Sequence, residues 1–327
     1  MTMIVTLTLN PALDISAHVN RVVPDSKLRL GEPVCEAGGG GLNVSRVLAR
    51  LGGDSLAIYT RGGPAGARLD ALLEEGGVAR EAVDIQDDTR ENLSIIEDST
   101  GQQFRFVMPG PRLTRDEWQR CLDAVANLDP VPDYVVASGS LPSGLSVDVY
   151  ADLARMVHEQ GGRLVVDTSG EALRAALDEG VYLVKPNVRE LARLVGRDPE
   201  GGWDPEKEAR GLVSGGGSEV VVLSLGAGGA FVTGRDLEVG EHVRSPTVPI
   251  TSKVGAGDSM VGGLMAALAR HEPLLHAVRY GVAAGAAAVM TPGSELCRKE
   301  DTDRLFARMR EDAADPAAQS GGQAAMA

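Results

Sequence analysis

Asp258 stands in the stretch Val254-Gly255-Ala256-Gly257-Asp258-Ser259-Met260-Val261-Gly262. Its small residues let the backbone come close to a ligand. Residues 259–268 then show helical periodicity. A helix that starts at such a turn aims unpaired N–H groups and a partial positive charge at whatever lies before it. That arrangement suits a phosphate. A carboxylate in the same place repels a resting anion. Asp258 therefore has two readings. It caps the helix, or it is a base that takes the proton of a hydroxyl attacking phosphorus.

Other residues could join that chemistry. Residues 3–9 alternate apolar residues with Thr and stop at Asn10-Pro11, so Asp14 is expected just past a strand end. Ligands gather outside the carboxyl ends of strands in open α/β sheets; alone, Asp14 reads as a turn residue. Gly38-Gly39-Gly40-Gly41 runs into a helical pattern at 44, 47, 48 and 51, with Asn43 in its first turn. Four glycines read as a linker or, against a helix start, as a substrate-binding loop. Arg90 and Arg105 fall on a strand pair at 92–96 and 104–107, joined by the Asp98-Ser99-Thr100-Gly101 turn. Lys27 and Arg29 fall in a mixed stretch, 15–37, where Pro24 and Pro33 forbid a long helix. Two or three arginines near a site fit a phosphate clamp; taken singly they read as surface arginines.

The elements that position these residues alternate regularly from residue 114 onward. Helices are expected at 114–126, 147–159, 171–177 and 205–213. They alternate with strands at 134–137, 164–166, 182–184 and 220–223. The strands are near-continuous apolar runs, the pattern of a parallel sheet buried on both faces. Their polar ends, Ser138-Gly139-Ser140, Asp167-Thr168-Ser169, Lys185-Pro186-Asn187 and Ser224-Leu225-Gly226, would share one edge of that sheet. A strand at 56–59 and a helix at 66–75 come earlier, and helices at 274–290 and 301–310 later. The segments 14–37 and 90–108 interrupt the alternation and are expected to form a small separate sheet. Residues 313–327 lack an apolar period and are expected to be disordered.

Composition excludes several classes. A net charge of −14 argues against general nucleic-acid binding, which needs a basic footprint. Three widely spaced Cys give neither a zinc site nor a disulfide framework and suit a reducing compartment. With no basic-then-apolar leader and no apolar tract long enough to span a bilayer, a cytoplasmic protein without membrane contact is expected. Neither the Walker glycine–lysine loop nor the dinucleotide glycine fingerprint occurs.

Taken in order, these stretches resemble the ribokinase-like, PfkB-type carbohydrate kinases. The resemblance covers about residues 1–312. It is carried by Thr8-Leu9-Asn10-Pro11-Ala12-Leu13-Asp14, by Gly38-Gly39-Gly40-Gly41-Leu42-Asn43-Val44 and by Phe104-Arg105-Phe106-Val107-Met108-Pro109-Gly110. Ser138-Gly139-Ser140-Leu141-Pro142, Lys185-Pro186-Asn187-x-x-Glu190 and Val254-Gly255-Ala256-Gly257-Asp258-Ser259 complete it. The chain looks closest to the sugar-phosphate branch.

The resemblance implies a three-layer α/β/α sandwich with a mainly parallel sheet and a small β lid. Its core would comprise 1–13, 38–89 and 109–312, and its lid, also a dimerisation surface, 14–37 and 90–108. It implies ATP- and Mg²⁺-dependent phosphorylation of fructose 6-phosphate at C1. Asp258 would be the base, and the N–H groups of Gly255, Ala256, Gly257 and Asp258 an anion hole. Asp14, Gly39, Gly40, Asn43 and Ser140 would face the sugar. Arg90 and Arg105, helped by Arg29 from a second subunit, would hold its phosphate. Lys185, Asn187, Ser224, Gly226, Gly229 and Lys27 would serve ATP, and Glu190 would order Mg²⁺ through water. Ser252 and Val254 would help form a monovalent-cation (K⁺) site with the 288–293 loop. Here the chain departs from the family: Thr251-Ser252-Lys253 stands where many members have Asp-Thr, and Pro292 and Glu295 alter the loop. Lys253 thus brings a cation beside the implied site.

Tagatose 6-phosphate and fructose 1-phosphate are rival substrates within the same chemistry. A non-catalytic sugar-phosphate sensor is a rival from another class, although a pure binder has no need of a base. A dinucleotide oxidoreductase lacks its glycine fingerprint.

Overall fold

The computed structural model describes residues 2–293 and 295–314. Its strands are β1 (Ile4–Thr8), β2 (Ala12–Val19), β3 (Val34–Gly38), β4 (Leu56–Arg61), β5 (Arg80–Asp84), β6 (Arg90–Glu97) and β7 (Gln103–Phe106). They continue with β8 (Tyr134–Ser138), β9 (Arg163–Asp167), β10 (Val181–Val184), β11 (Ser218–Ser224), β12 (Ala230–Gly234) and β13 (Glu241–Val243). The helices are α1 (Gly40–Arg50), α2 (Gly63–Glu75), α3 (Arg115–Ala126), α4 (Val149–Glu159) and α5 (Gly170–Glu179). They end with α6 (Val188–Leu194), α7 (Pro205–Ser214), α8 (Ala256–Ala269), α9 (Leu274–Ala288) and α10 (Lys299–Ala314).

A nine-stranded sheet runs in the order β13-β12-β11-β10-β9-β8-β1-β4-β5. Pairing is parallel from β11 through β5, whereas β12 pairs antiparallel with both β11 and β13 and so runs against the other strands. Side chains alternate between its faces. Ile4 and Val136 pack with α1, α8 and α9 on one face. Val5, Leu7, Val135 and Ala137 pack with α3, α4, α5 and α6 on the other. This gives the expected three layers. A second sheet, β3-β2-β6-β7, stands apart from the first. In it β2 pairs parallel with β6, and β6 and β7 form the expected hairpin.

The structure differs from the sequence reading in places. The second sheet begins at Ala12, so Asp14 lies within β2 rather than in a turn. Strands β5, β12 and β13 and helix α6 had no clear sequence signal. β5 carries Arg80, Glu81 and Asp84 because an edge strand need not be apolar throughout. β13 has three residues and α6 only seven, too few for a period to register. α10 runs to Ala314, past the expected helix end at 310. The rest of the tail expected to be disordered lies outside the described residues. Among those described, no helix is long and apolar enough to cross a membrane.

The helix that carries Asp258 is gripped by its neighbour. From Ser259 to Leu268 every residue of α8 is buried. A β-carbon on Gly281 of α9 would lie 2.6 Å from the Met260 carbonyl oxygen, and one on Gly263 would lie 2.7 Å from Ala284 Cβ. The two axes therefore approach through small residues. Gly281→Val should push α9 off α8 and lower stability by about 1–3 kcal/mol, measured as a lower urea midpoint with an unchanged slope.

Candidate active site

The carboxyl ends of β8, β9, β10 and β11 meet the start of α8 along one edge of the main sheet. The Gly139 N–H donates to the Asp167 carbonyl (3.0 Å), and the Ser224 N–H to the Pro186 carbonyl (2.9 Å). Asn187 and Ser224 form an isolated parallel bridge. All four polar strand ends thus lie together, as the alternation implied.

Gly255 precedes α8 with φ 73°, a left-handed turn that glycine adopts without strain. A β-carbon there would also lie 2.7 Å from Leu296 Cδ2. The first N–H groups of α8 have no carbonyl a turn below them and face outward as donors. Lys185 reaches this helix end: its Nζ lies 3.6 Å from where a Gly257 β-carbon would be. Lys185 is buried, and Nζ pairs with Asp167 at 3.2 Å. Burial opposes its charge, but Asp167, Glu190 and Asp258 together raise its pKa.

Asp258 retains a partly open surface. Its Oδ2 accepts a 2.8 Å hydrogen bond from Asn43 Nδ2. Its pKa is pushed up to about 6, chiefly by burial and then by Asp167; Asn43 and Lys185 pull it down, and Asp14 adds a small push upward. A carboxyl that titrates there is ionised near neutral pH and basic enough to accept a proton.

The glycine run is shaped by its surroundings. Gly39 has φ 121°, and a β-carbon on it would lie 2.8 Å from Thr8 Cγ2. One on Gly40 would overlap Ser138. α1 can therefore start against the sheet only with glycine there, which delivers Asn43 to Asp258.

Asp14 faces this point from β2. Asn92, its register partner on β6, donates to Oδ1 at 2.9 Å. Burial raises the Asp14 pKa, while Asn92, Arg105 and Arg90 oppose the rise. A cleft lined by Asp14, Ser16, Asn92, Arg105 and Val254 opens between the second sheet and the α8 turn. Arg90 donates from Nη2 to the Asn10 carbonyl (3.0 Å) and from Nη1 to the Met108 carbonyl (3.4 Å). Its Nε is buried without a protein partner, a donor left for a polar ligand. Asn10 Nδ2 donates to the exposed Ser140 Oγ at 3.0 Å.

The remaining expected residues divide. Asn187 and Glu190 form a reciprocal cap on α6, with both N–H to side-chain bonds at 2.9 Å. Ser252 Oγ donates to the Gly293 carbonyl (2.6 Å) and accepts from the Val254 N–H (3.2 Å), which joins the two loops of the implied cation site. Gly226 is exposed beside Ser224. Gly229 is buried, and a β-carbon there would strike Val243. Its glycine is thus demanded by packing. Lys27 and Arg29 are exposed and are not gathered with the others.

Sequence reading passed over four residues. Asp167 was visible only as a polar strand end. Asn92 and Glu36 become neighbours of Asp14 through strand register. Arg46 had no signal beyond lying one helical turn after Asn43.

A helix start, a lysine and a carboxylate converge here on a sheet that ribokinase from Arabidopsis thaliana shares in fold, at 19% identity and a TM-score of 0.72. That likeness gives the chain a ribokinase-like fold. The sequence model of the pfkB family carbohydrate kinases matches residues 7–301, and the chain belongs to that family. It is 43% identical to ATP-dependent 6-phosphofructokinase isozyme 2 of Escherichia coli K12, over 94% of this chain and 99% of that one. It is 42% identical to the isozyme 2 of Mycobacterium tuberculosis, over 93% and 88%. A solved structure of Escherichia coli phosphofructokinase-2 in complex with fructose-6-phosphate superposes with a TM-score of 0.88 at 41% identity, covering 95% of this chain and all of that one.

The raised Asp258 carboxyl has a consequence for stability. The unfolded chain ionises this group near its ordinary value of 3.8, and the folded protein only near 6. Folding therefore carries a penalty that is absent below the lower value and complete above the higher one. Asp258→Asn should raise the urea midpoint near neutral pH. The gain should shrink as pH falls through 6 and vanish near 4.

Proposed function

We propose that the protein transfers the γ-phosphoryl group of ATP to the C1 hydroxyl of fructose 6-phosphate, giving ADP and fructose 1,6-bisphosphate. The observation that carries this is Asp258 itself: a carboxylate with a raised pKa in the first turn of a helix, whose free N–H groups suit an anion. The relatives named 6-phosphofructokinase, alike over nearly the whole chain, support the choice of sugar.

The attacking hydroxyl lies at Asp258, which takes its proton as the oxygen–phosphorus bond forms. The bond from the γ-phosphorus to the bridging oxygen breaks, and ADP leaves. Charge on the transferred group is held by the N–H groups of Gly255, Ala256, Gly257 and Asp258 and by Lys185. Asp14, Gly39, Gly40, Asn43 and Ser140 orient the sugar. Arg90 and Arg105 hold its phosphate by charge-assisted hydrogen bonds. Asn187, Ser224 and Gly226 border the nucleotide. The carboxylates near Lys185 suit a hard cation, and Glu190 would hold Mg²⁺ through water. When bound, Mg²⁺ neutralises phosphate charge. Ser252, Val254 and the 288–293 loop would hold a monovalent cation such as K⁺, beside the exposed Lys253.

The second sheet acts as a lid that excludes water, the competing acceptor. It also joins two subunits. Val34 and Phe106 on it, and Val107 and Met108 just past its last strand, expose apolar side chains, which supports a lid-to-lid homodimer. Lys27 and Arg29 would act from this lid, Lys27 on nucleotide and Arg29 on the sugar phosphate of the partner.

ADP release from Mg-ATP should be fastest with fructose 6-phosphate when tagatose 6-phosphate, fructose 1-phosphate and fructose are compared alongside. Preference for unphosphorylated fructose would remove the arginine clamp. Arg105→Ala should raise KM for fructose 6-phosphate about tenfold to a hundredfold and leave KM for ATP unchanged. Asp258→Asn should lower kcat by about 10²–10⁴-fold with ATP binding retained by calorimetry. Near-normal turnover in that variant would end the role of Asp258 as base.

A further inference from the structure

Arg46 holds none of the roles assigned above, yet it touches both halves of the site. It sits on α1 one turn after Asn43, with its side chain only 15% exposed. Its Nη1 donates to the Ala37 carbonyl at 2.5 Å and to Asn43 Oδ1 at 3.0 Å. Its Nη2 pairs with Glu36 Oε1 at 3.1 Å. Ala37 and Glu36 belong to β3 of the second sheet. Asn43 is the residue that donates to Asp258.

A guanidinium has donors only. The oxygen of the Asn43 amide must therefore face Arg46, which turns the amide nitrogen toward Asp258. The opposite orientation would set a carbonyl oxygen against the Asp258 carboxylate and leave a buried Arg46 N–H unpaired. We propose that Arg46 is a positioning residue. It locks Asn43 in the orientation that orders Asp258, and it ties that orientation to strand β3 of the second sheet. This rests on the reading of Asp258 as the base.

The consequence is specific. Asp258 is also faced by Asp167 at the end of β9, Lys185 after β10 and Asp14 on β2. Arg46 is itself faced by Glu36, Arg50 and Asp14. Replacing Arg46 acts on this set through Asn43 on α1 and through Glu36 and Asp14 in the second sheet, and leaves Asp167 and Lys185 in place. It frees the Asn43 amide and weakens a bond that favours ionised Asp258.

The test compares Arg46→Met, Arg46→Lys and Asp258→Asn with the parent protein, with thermal melting as a folding control. In Arg46→Met, kcat should fall about tenfold to a hundredfold, KM for ATP should hold, and the acid limb of the kcat–pH profile should move to higher pH. Arg46→Lys keeps the charge and one donor for Asn43, so it should recover part of kcat and move the limb less. It also serves as the reporter if Arg46→Met does not fold. A fall in kcat with an unmoved acid limb in both variants, or an unchanged kcat, overturns the proposal. If Asp258→Asn keeps parental turnover, the base reading fails separately, whatever the Arg46 variants do.

Discussion

One buried ammonium holds the negative charge of this site together. Lys185 Nζ lies against Asp167, within the fields of Glu190 and Asp258, and beside the first turn of α8. Carboxylates gathered this way repel one another, and the ammonium between them offsets that repulsion. A buried lysine without them would shed its proton. Each group therefore makes the other tolerable. The residual imbalance appears in Asp258, whose carboxyl stays raised despite Lys185 and Asn43. In the proposed reaction that imbalance is useful, because a fully stabilised carboxylate would be a poor base.

Holding such a cluster requires rigid support. α8 is buried almost all round, and α9 meets it through Gly281, Gly263 and Ala284. Close-packed interiors deform little. The helix start thus keeps its place relative to Lys185 without help from a ligand. Gly39 and Gly40 do the same for α1, whose start would otherwise collide with Thr8 and Ser138. These four glycines are therefore spent where a helix meets its neighbour or the sheet edge.

The second sheet meets the first at a polar seam. Asp14 and Asn92 pair across β2 and β6, Arg90 reaches the Asn10 carbonyl, and Arg46 ties β3 to α1. Bonds of this kind are modest one by one. They set angles more than they supply stability, and they join a sheet that carries arginines to a core that carries Asp258.

Much of this was written locally in the chain. The apolar runs of β8 to β11 and their polar ends demanded a buried parallel sheet with its chemistry on one edge, because period and burial are local properties. The glycine turn before Asp258, the Gly38–Gly41 run before Asn43 and the hairpin bearing Arg105 were legible for the same reason, and the ordered motifs marked the family. Tertiary structure alone decided the rest. Asp14 sits in a strand because β6 pairs with β2 from far along the chain. Asp167 matters because parallel pairing sets it beside Lys185. Arg46 meets Glu36 and the Ala37 carbonyl because α1 packs under β3. Strand register and helix packing create such neighbours between residues remote in sequence, and no local pattern encodes which of them will meet.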